Sequence, residues 1–171
     1  HFSAIWTPMQ GVFQRALMID DTNPPAIGDV YKLITASSVS GVFDSVTGVS
    51  IGDIDGMPAA LAVLYDATTV LVMPSILGDT DLDFALKTED ATALIDAFGS
   101  GYGATWIQGD LNGDGWVDVT DAILMRNAFN ATGQTAPAEL VALIPEPMSC
   151  LLLGIGSLVF TLPRRSRPFG S

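Results

Sequence analysis

The sequence predicts a mixed chain in three parts: an N-terminal β-rich region (antiparallel, or the end of a β-helix), a small α-helical module built from a duplicated loop-helix unit, and a single C-terminal apolar helix. Three observations lead there. Residues 1–76 hold short runs of β-branched and aromatic residues between Gly, Asp, Ser and Pro clusters. From Gly78 onward, Asp clusters precede apolar residues at helical spacing, and the pattern repeats at an offset of about 31 residues. After Pro145-Glu146-Pro147 comes an apolar run, residues 148–162, closed by Arg164, Arg165 and Arg167.

Composition bounds the chemistry. The 171 residues carry 19 acidic against 7 basic side chains and a net charge of −12. Such a surface repels phosphate backbones, which excludes nucleic acid as a partner, and its excess of Asp suits hard cations. The 49% of hydrophobic residues suffices for a core in one modest domain or two small ones. The single cysteine, Cys150, and single histidine, His1, leave no internal disulfide framework and argue against zinc sites and Ser-His or Cys-His chemistry. The chain begins with His1 and reads there as mid-domain sequence, so a C-terminal piece of a longer product is expected.

In the β region, strands are expected at Val30 to Thr35, Val42 to Val46, Ala62 to Tyr65 and Thr69 to Met73. Gly52-Asp53-Ile54-Asp55-Gly56 reads as a plain turn. Placing Gly56 where an ion-binding loop needs glycine would put Ile51 at the first ligand position, and its side chain cannot ligate. The repeat then runs from residue 78 to 133. Gly78-Asp79 aligns with Gly109-Asp110, Asp83 with Asp114, Asp90 with Asp121, and Ala97-Phe98 with Ala128-Phe129. Ala91, Leu94, Ile95 and Phe98 make one apolar helix face, and Ala122, Met125 and Phe129 occupy the matching positions. Helices this short are marginal alone and must pack on each other. Residues 99–103 form a Gly-rich connection, and residues 134–144 read as a linker.

The loops carry the chemistry. Calcium takes six to eight oxygen ligands, supplied in a twelve-residue loop from positions 1, 3, 5, 7, 9 and 12, with glycine at position 6 for a sharp turn. Counting from Asp110, those positions hold Asp110, Asn112, Asp114, Trp116 (through its carbonyl), Asp118 and Asp121, and position 6 is Gly115. Val117, at position 8, is the apolar residue expected to pair the two loops. In the first loop Asp79, Asp81, Asp83 and Asp90 hold positions 1, 3, 5 and 12, but Phe84 replaces the glycine and Lys87 replaces the donor at position 9. Phe84 must therefore take a strained conformation or reroute the loop. Lys87 sets a positive charge near any ion, so weaker affinity is expected there.

The repeat over residues 78–133 resembles the dockerin type I family, whose duplicated loop-helix units lack the entering helix of ordinary EF-hands. The Gly-rich lead-in and Asp at position 12 match that pattern, whereas Phe84 and Lys87 depart from it. The resemblance implies Ca2+ as cofactor. It also implies a cohesin-like partner contacting Val119, Thr120, Arg126 and Asn127. The order of Pro145, Glu146 and Pro147, apolar run and Arg164, Arg165 and Arg167 resembles the PEP-CTERM sorting signal. That resemblance implies an exosortase-type sorting enzyme as partner, contact with a membrane through residues 148–162, and export of everything before Pro145 to the cell envelope or outside it. Residues 25–75 are similar to the closing segment of secreted β-helix or autotransporter-like proteins, through Gly28-Asp29-Val30-Tyr31-Lys32-Leu33-Ile34, Gly41-Val42-Phe43 and Leu64-Tyr65.

Two readings of function follow. The first is a non-catalytic exported bacterial surface or matrix protein with a calcium-stabilised module. The second is the non-catalytic C-terminal part of a secreted polysaccharide hydrolase, its module binding a cohesin. Asp20-Asp21 and Asp53/Asp55 are the only paired carboxylates that could act as general acid and base, and in a chain this rich in Asp such pairs arise by chance, so no enzymatic activity is expected.

Overall fold

The computed structural model describes residues 26–145 in full, and residues 2–9 and 12–19 as paired strands. Strand β1 (Phe2–Met9) and strand β2 (Val12–Ile19) are antiparallel, in register from Phe2↔Ile19 to Met9↔Val12. The short strand β4 (Ser45–Thr47) lies parallel to β2, with Leu17 opposite Val46. Pro8 falls within β1, which is an edge strand, where a missing N–H costs no ladder bond.

A second sheet has the order β3-β7-β6-β5, with β3 (Tyr31–Thr35), β5 (Ser50–Ile54), β6 (Met57–Tyr65) and β7 (Thr69–Ile76) all antiparallel to their neighbours. Of residues 52–56, read as a plain turn, Gly52, Asp53 and Ile54 belong to β5, and only Asp55-Gly56 forms the loop that joins β5 to β6. Ile54 pairs Met57 across it, and Asp55 and Gly56 take φ of 53° and 80°. Two successive residues at positive φ are what a two-residue hairpin loop of matching twist requires. The strand expected from Val42 begins only at Ser45, because the Phe43 amide donates to the Tyr65 hydroxyl at 3.1 Å instead of joining a ladder.

Strand β6 is buried on both faces, and this positions everything after it. Ala60 and Ala62 point to one core, together with Ile76 of β7; Leu61 and Val63 point to another, with Val70, Val72, Phe43 and Val46. The first core is completed by three helices, α1 (Thr88–Ala97), α2 (Val119–Ala131) and α3 (Ala138–Ala142), and by a single 3-10 turn at Trp106–Gln108. Ala91 and Leu94 of α1 and Ala122, Met125 and Phe129 of α2 are buried there. Leu140 of α3 is fully buried as well, so the stretch read as a linker carries a packed helix.

The three-part fold class is therefore corrected. The duplicated helices bury their apolar faces on β6 and β7 as well as on each other, which gives short helices the tertiary support they need. Among the described residues no helix is long and apolar enough to cross a membrane, and the five-residue α3 is the last of them. Residues 148–162, where the single apolar helix was expected, lie outside the described residues.

Candidate metal-binding loops

The two acidic loops leave the sheet and the 3-10 turn in the same way. The first follows β7 and runs from Asp79 to Asp90; the second follows the 3-10 turn and runs from Asp110 to Asp121. Each starts after a glycine in left-handed backbone, Gly78 (φ 93°) and Gly109 (φ 98°). The carboxylates at positions 1 and 12 are buried in both: Asp79, Asp90, Asp110 and Asp121 are all at most 6% exposed. Buried carboxylates need donors, and the loop backbone supplies them.

The supply is the same in both loops. Leu111 and Asn112 amides donate to Asp121 Oδ1 at 2.8 and 3.2 Å, as Thr80 and Asp81 do to Asp90 Oδ1 at 2.8 and 3.3 Å. Asp114 and Gly115 donate to the two oxygens of Asp110 at 3.2 and 2.9 Å, as Asp83 and Phe84 do to Asp79 at 3.2 and 3.0 Å. The amides of Asp118 and Lys87 reach the other oxygen of Asp121 and Asp90 at 3.0 and 2.7 Å. Within each loop, position 5 donates to the position-3 side chain (Asp114 to Asn112 at 2.8 Å, Asp83 to Asp81 at 3.1 Å), and position 7 donates to position 5 at 3.0 Å. Seven hydrogen bonds thus correspond residue for residue. Phe84 keeps this path by taking φ 65°, where Gly115 has 83°; Leu82 (62°) likewise stands opposite Gly113 (77°). Of the two outcomes expected for Phe84, the loop realises the strained one, at a cost of about 1–3 kcal/mol per such residue.

One carboxylate oxygen from each of Asp79, Asp81 and Asp83 lies within 4.8 Å of the others, so this triad could hold a metal ion. The second loop presents Asp110, Asn112 and Asp114 on the equivalent backbone, with an amide oxygen replacing the middle carboxylate. Asp118 is exposed and also caps α2, accepting the Thr120 amide at 2.6 Å. Burial is the main cause that raises Asp79, Asp110 and Asp121 above the usual carboxylate range. For Asp110 the rise is to about 6, opposed by the Gly115 and Gly113 amides and increased by Asp121 and Asp114. Clustered, desolvated carboxylates of this kind gain from a cation more than solvated ones do.

The surroundings differ between the loops. Ser75 of β7 donates its hydroxyl to Asp79 Oδ2, and the Trp106 indole donates to the Asp79 carbonyl at 2.6 Å. The Lys87 ammonium forms an ion pair with Asp83, which holds Asp83 below the usual carboxylate range and Lys87 above its own. The second loop docks on the first sheet: the Val46 amide donates to the Gly113 carbonyl at 2.8 Å, and a Cβ on Gly113 would lie 2.9 Å from Val46 Cβ. Tyr102 stacks edge-on against Trp116, ring centroids 6.3 Å apart, and donates its hydroxyl to Asp44. Spacing flagged neither Ser75, Trp106, Tyr102 nor Asp44; apart from Ser75, whose partner is four residues on, they act across 27 or 58 residues of sequence, where periodicity carries no signal.

Val117 and its counterpart Leu86 are both buried in the shared core. Their carbonyls are met reciprocally, each by the segment after the other unit's helix. The Gly99 amide, after α1, donates to Val117 at 2.9 Å; the Gln134 side chain, after α2, donates to Leu86 at 3.1 Å. Of the positions implied as partner contacts, Thr120 and Asn127 are exposed and Val119 and Arg126 half-buried, and the Arg126 guanidinium donates to Asn127. Asp53 and Asp55 are exposed on the β5–β6 hairpin, and Asp20-Asp21 lies outside the described residues. Pro145 is exposed at the end of the described chain; Glu146, Pro147, Arg164, Arg165 and Arg167 lie outside it. Set against known protein families, curated proteins and solved structures, the chain matches none.

Proposed function

We propose that this chain is a non-catalytic, exported bacterial surface or matrix protein whose dockerin-like module is held folded by calcium at the second loop. One observation carries the reading: an all-oxygen donor set at positions 1, 3, 5, 7, 9 and 12 rides on a loop whose hydrogen bonding is duplicated by its repeat. Asp110, Asn112, Asp114, Asp118, Asp121 and the Trp116 carbonyl are the residues to hold the ion, which would supply the positive charge that the buried carboxylates lack. No His or Cys competes for a softer metal within residues 26–145.

Calcium in this reading links folding to location. Where calcium is scarce the carboxylates repel one another; where it is plentiful they are neutralised and the helix pair is locked onto the sheet. The Pro145-Glu146-Pro147 element with Arg164, Arg165 and Arg167 supports exosortase-type sorting to such a compartment.

The test is thermal unfolding of the whole chain in calcium and in EDTA. Calcium at a hundred times its Kd adds about 2.7 kcal/mol, roughly 5–10 °C in a chain of this size. Asp110→Ala abolishes most of that gain, and Asp79→Ala removes less of it. Identical melting in calcium and EDTA overturns the reading.

A further inference from the structure

The two loops share one hydrogen-bonding scheme and differ at position 9. There the second loop has Asp118, an oxygen donor, and the first has Lys87. Only three cationic side chains occur within residues 26–145, namely Lys32, Lys87 and Arg126. One of them stands inside the acidic loop, and its ammonium is paired with Asp83 at position 5. Asp81 and Asp90, at positions 3 and 12, add further attraction to the same ammonium. A lysine nitrogen only donates, so Lys87 can compete with a metal ion and cannot ligate one.

We propose that the first loop carries its own cation: the half-exposed Lys87 ammonium, paired with Asp83 at position 5, takes the part of a divalent ion, so that the loop folds without metal. This rests on the reading of the second loop as the calcium site, and it sets the stoichiometry at one ion per chain. Two further features fit a loop built by the protein alone. Asp79 is held by the Ser75 hydroxyl and, through its carbonyl, by the Trp106 indole, both outside the loop. Phe84 and Leu82 are kept at positive φ although no glycine eases the turn. The first unit then acts as a prefolded half against which the second closes when calcium arrives, giving a single-site switch without cooperativity. The reciprocal bonds from Gly99 to Val117 and from Gln134 to Leu86 are the physical link between the halves.

The experiment is calorimetric titration of the whole chain with calcium chloride, alongside Lys87→Met and Lys87→Asp. Terbium emission that is lost in Trp116→Phe and kept in Trp106→Phe assigns binding to the second loop. The native chain takes up one ion, at the second loop, with a Hill coefficient of one. Lys87→Met frees the first loop to take a second ion, and Lys87→Asp, which adds an oxygen donor, binds that ion about tenfold more tightly than Lys87→Met does. In EDTA both variants lose protection of the Phe84 and Ala85 amides against hydrogen exchange. One bound ion in all three proteins, or two in the native chain, overturns the inference while leaving calcium at the second loop standing. No bound ion in the native chain overturns the calcium reading itself.

Discussion

Gly109→Ala is the substitution that most sharply tests how the second loop is held. Gly109 ends the 3-10 turn at φ 98° and delivers Asp110 into the loop. A Cβ there would lie 2.7 Å from Leu94 Cβ, 2.9 Å from Leu94 Cα and 3.0 Å from Leu94 Cγ, so it meets backbone of α1 as well as a side chain. Left-handed backbone costs a non-glycine residue about 1–2 kcal/mol, and forcing extra volume into a packed contact costs about 1–3 kcal/mol more. The sum is roughly 2–5 kcal/mol. Gly78 is its counterpart in the repeat, at φ 93°, yet a Cβ there meets the mobile end of Leu86 at 3.1 Å and Met125 at 3.5 Å. Gly78→Ala thus bears the backbone cost and little else, about 1–2 kcal/mol. Urea unfolding of both variants, in calcium and in EDTA, reads the difference as a shift of midpoint at constant slope. Gly109→Ala is the less stable under both conditions, and it also weakens calcium binding because Asp110 moves with its neighbour. Equal destabilisation by the two variants would refute the assignment of α1 as the wall behind the second loop.

Two further predictions follow from partners that lie far apart in sequence. Trp106→Phe replaces the buried indole with a smaller phenyl and removes the donor at 2.6 Å from the Asp79 carbonyl, so it destabilises the fold by at least about 1–3 kcal/mol in chemical unfolding, without altering calcium stoichiometry. Tyr102, hydrogen-bonded to Asp44, has its phenol pushed up to about 12. Its neutral form is the one the fold favours, so its contribution is complete below the ordinary tyrosine value and is lost as pH rises toward 12. Ultraviolet titration should show one phenol ionising about 2 pH units late, and Asp44→Asn should bring it back toward the ordinary value near 10.

What was legible in the sequence is what short-range chemistry fixes. The spacing of Asp110, Asn112, Asp114, Asp118 and Asp121 with Gly115 defines a loop because each carboxylate bonds amides within eleven residues of itself. The 31-residue offset aligned Asp79 to Asp90 with it but left open whether Phe84 would keep the same path, and the helix faces at Ala91, Leu94, Ala122, Met125 and Phe129 followed from period alone. The turn at Asp55-Gly56 was equally local.

Tertiary structure decided the rest. Strand β5 and helix α3 carry weak local patterns and exist because β6 and the core formed by α1 and α2 offer them a surface. Phe84 adopts left-handed backbone because the hydrogen bonds to Asp79 and Asp90 outweigh its own preference, a balance that no propensity expresses. Composition by itself allowed one modest domain or two small ones. Burial of Ala60, Ala62 and Ile76 beneath the helices joined them in one core, because apolar faces on short elements are stabilised only by removal from water, and the sheet was the nearest surface to provide it.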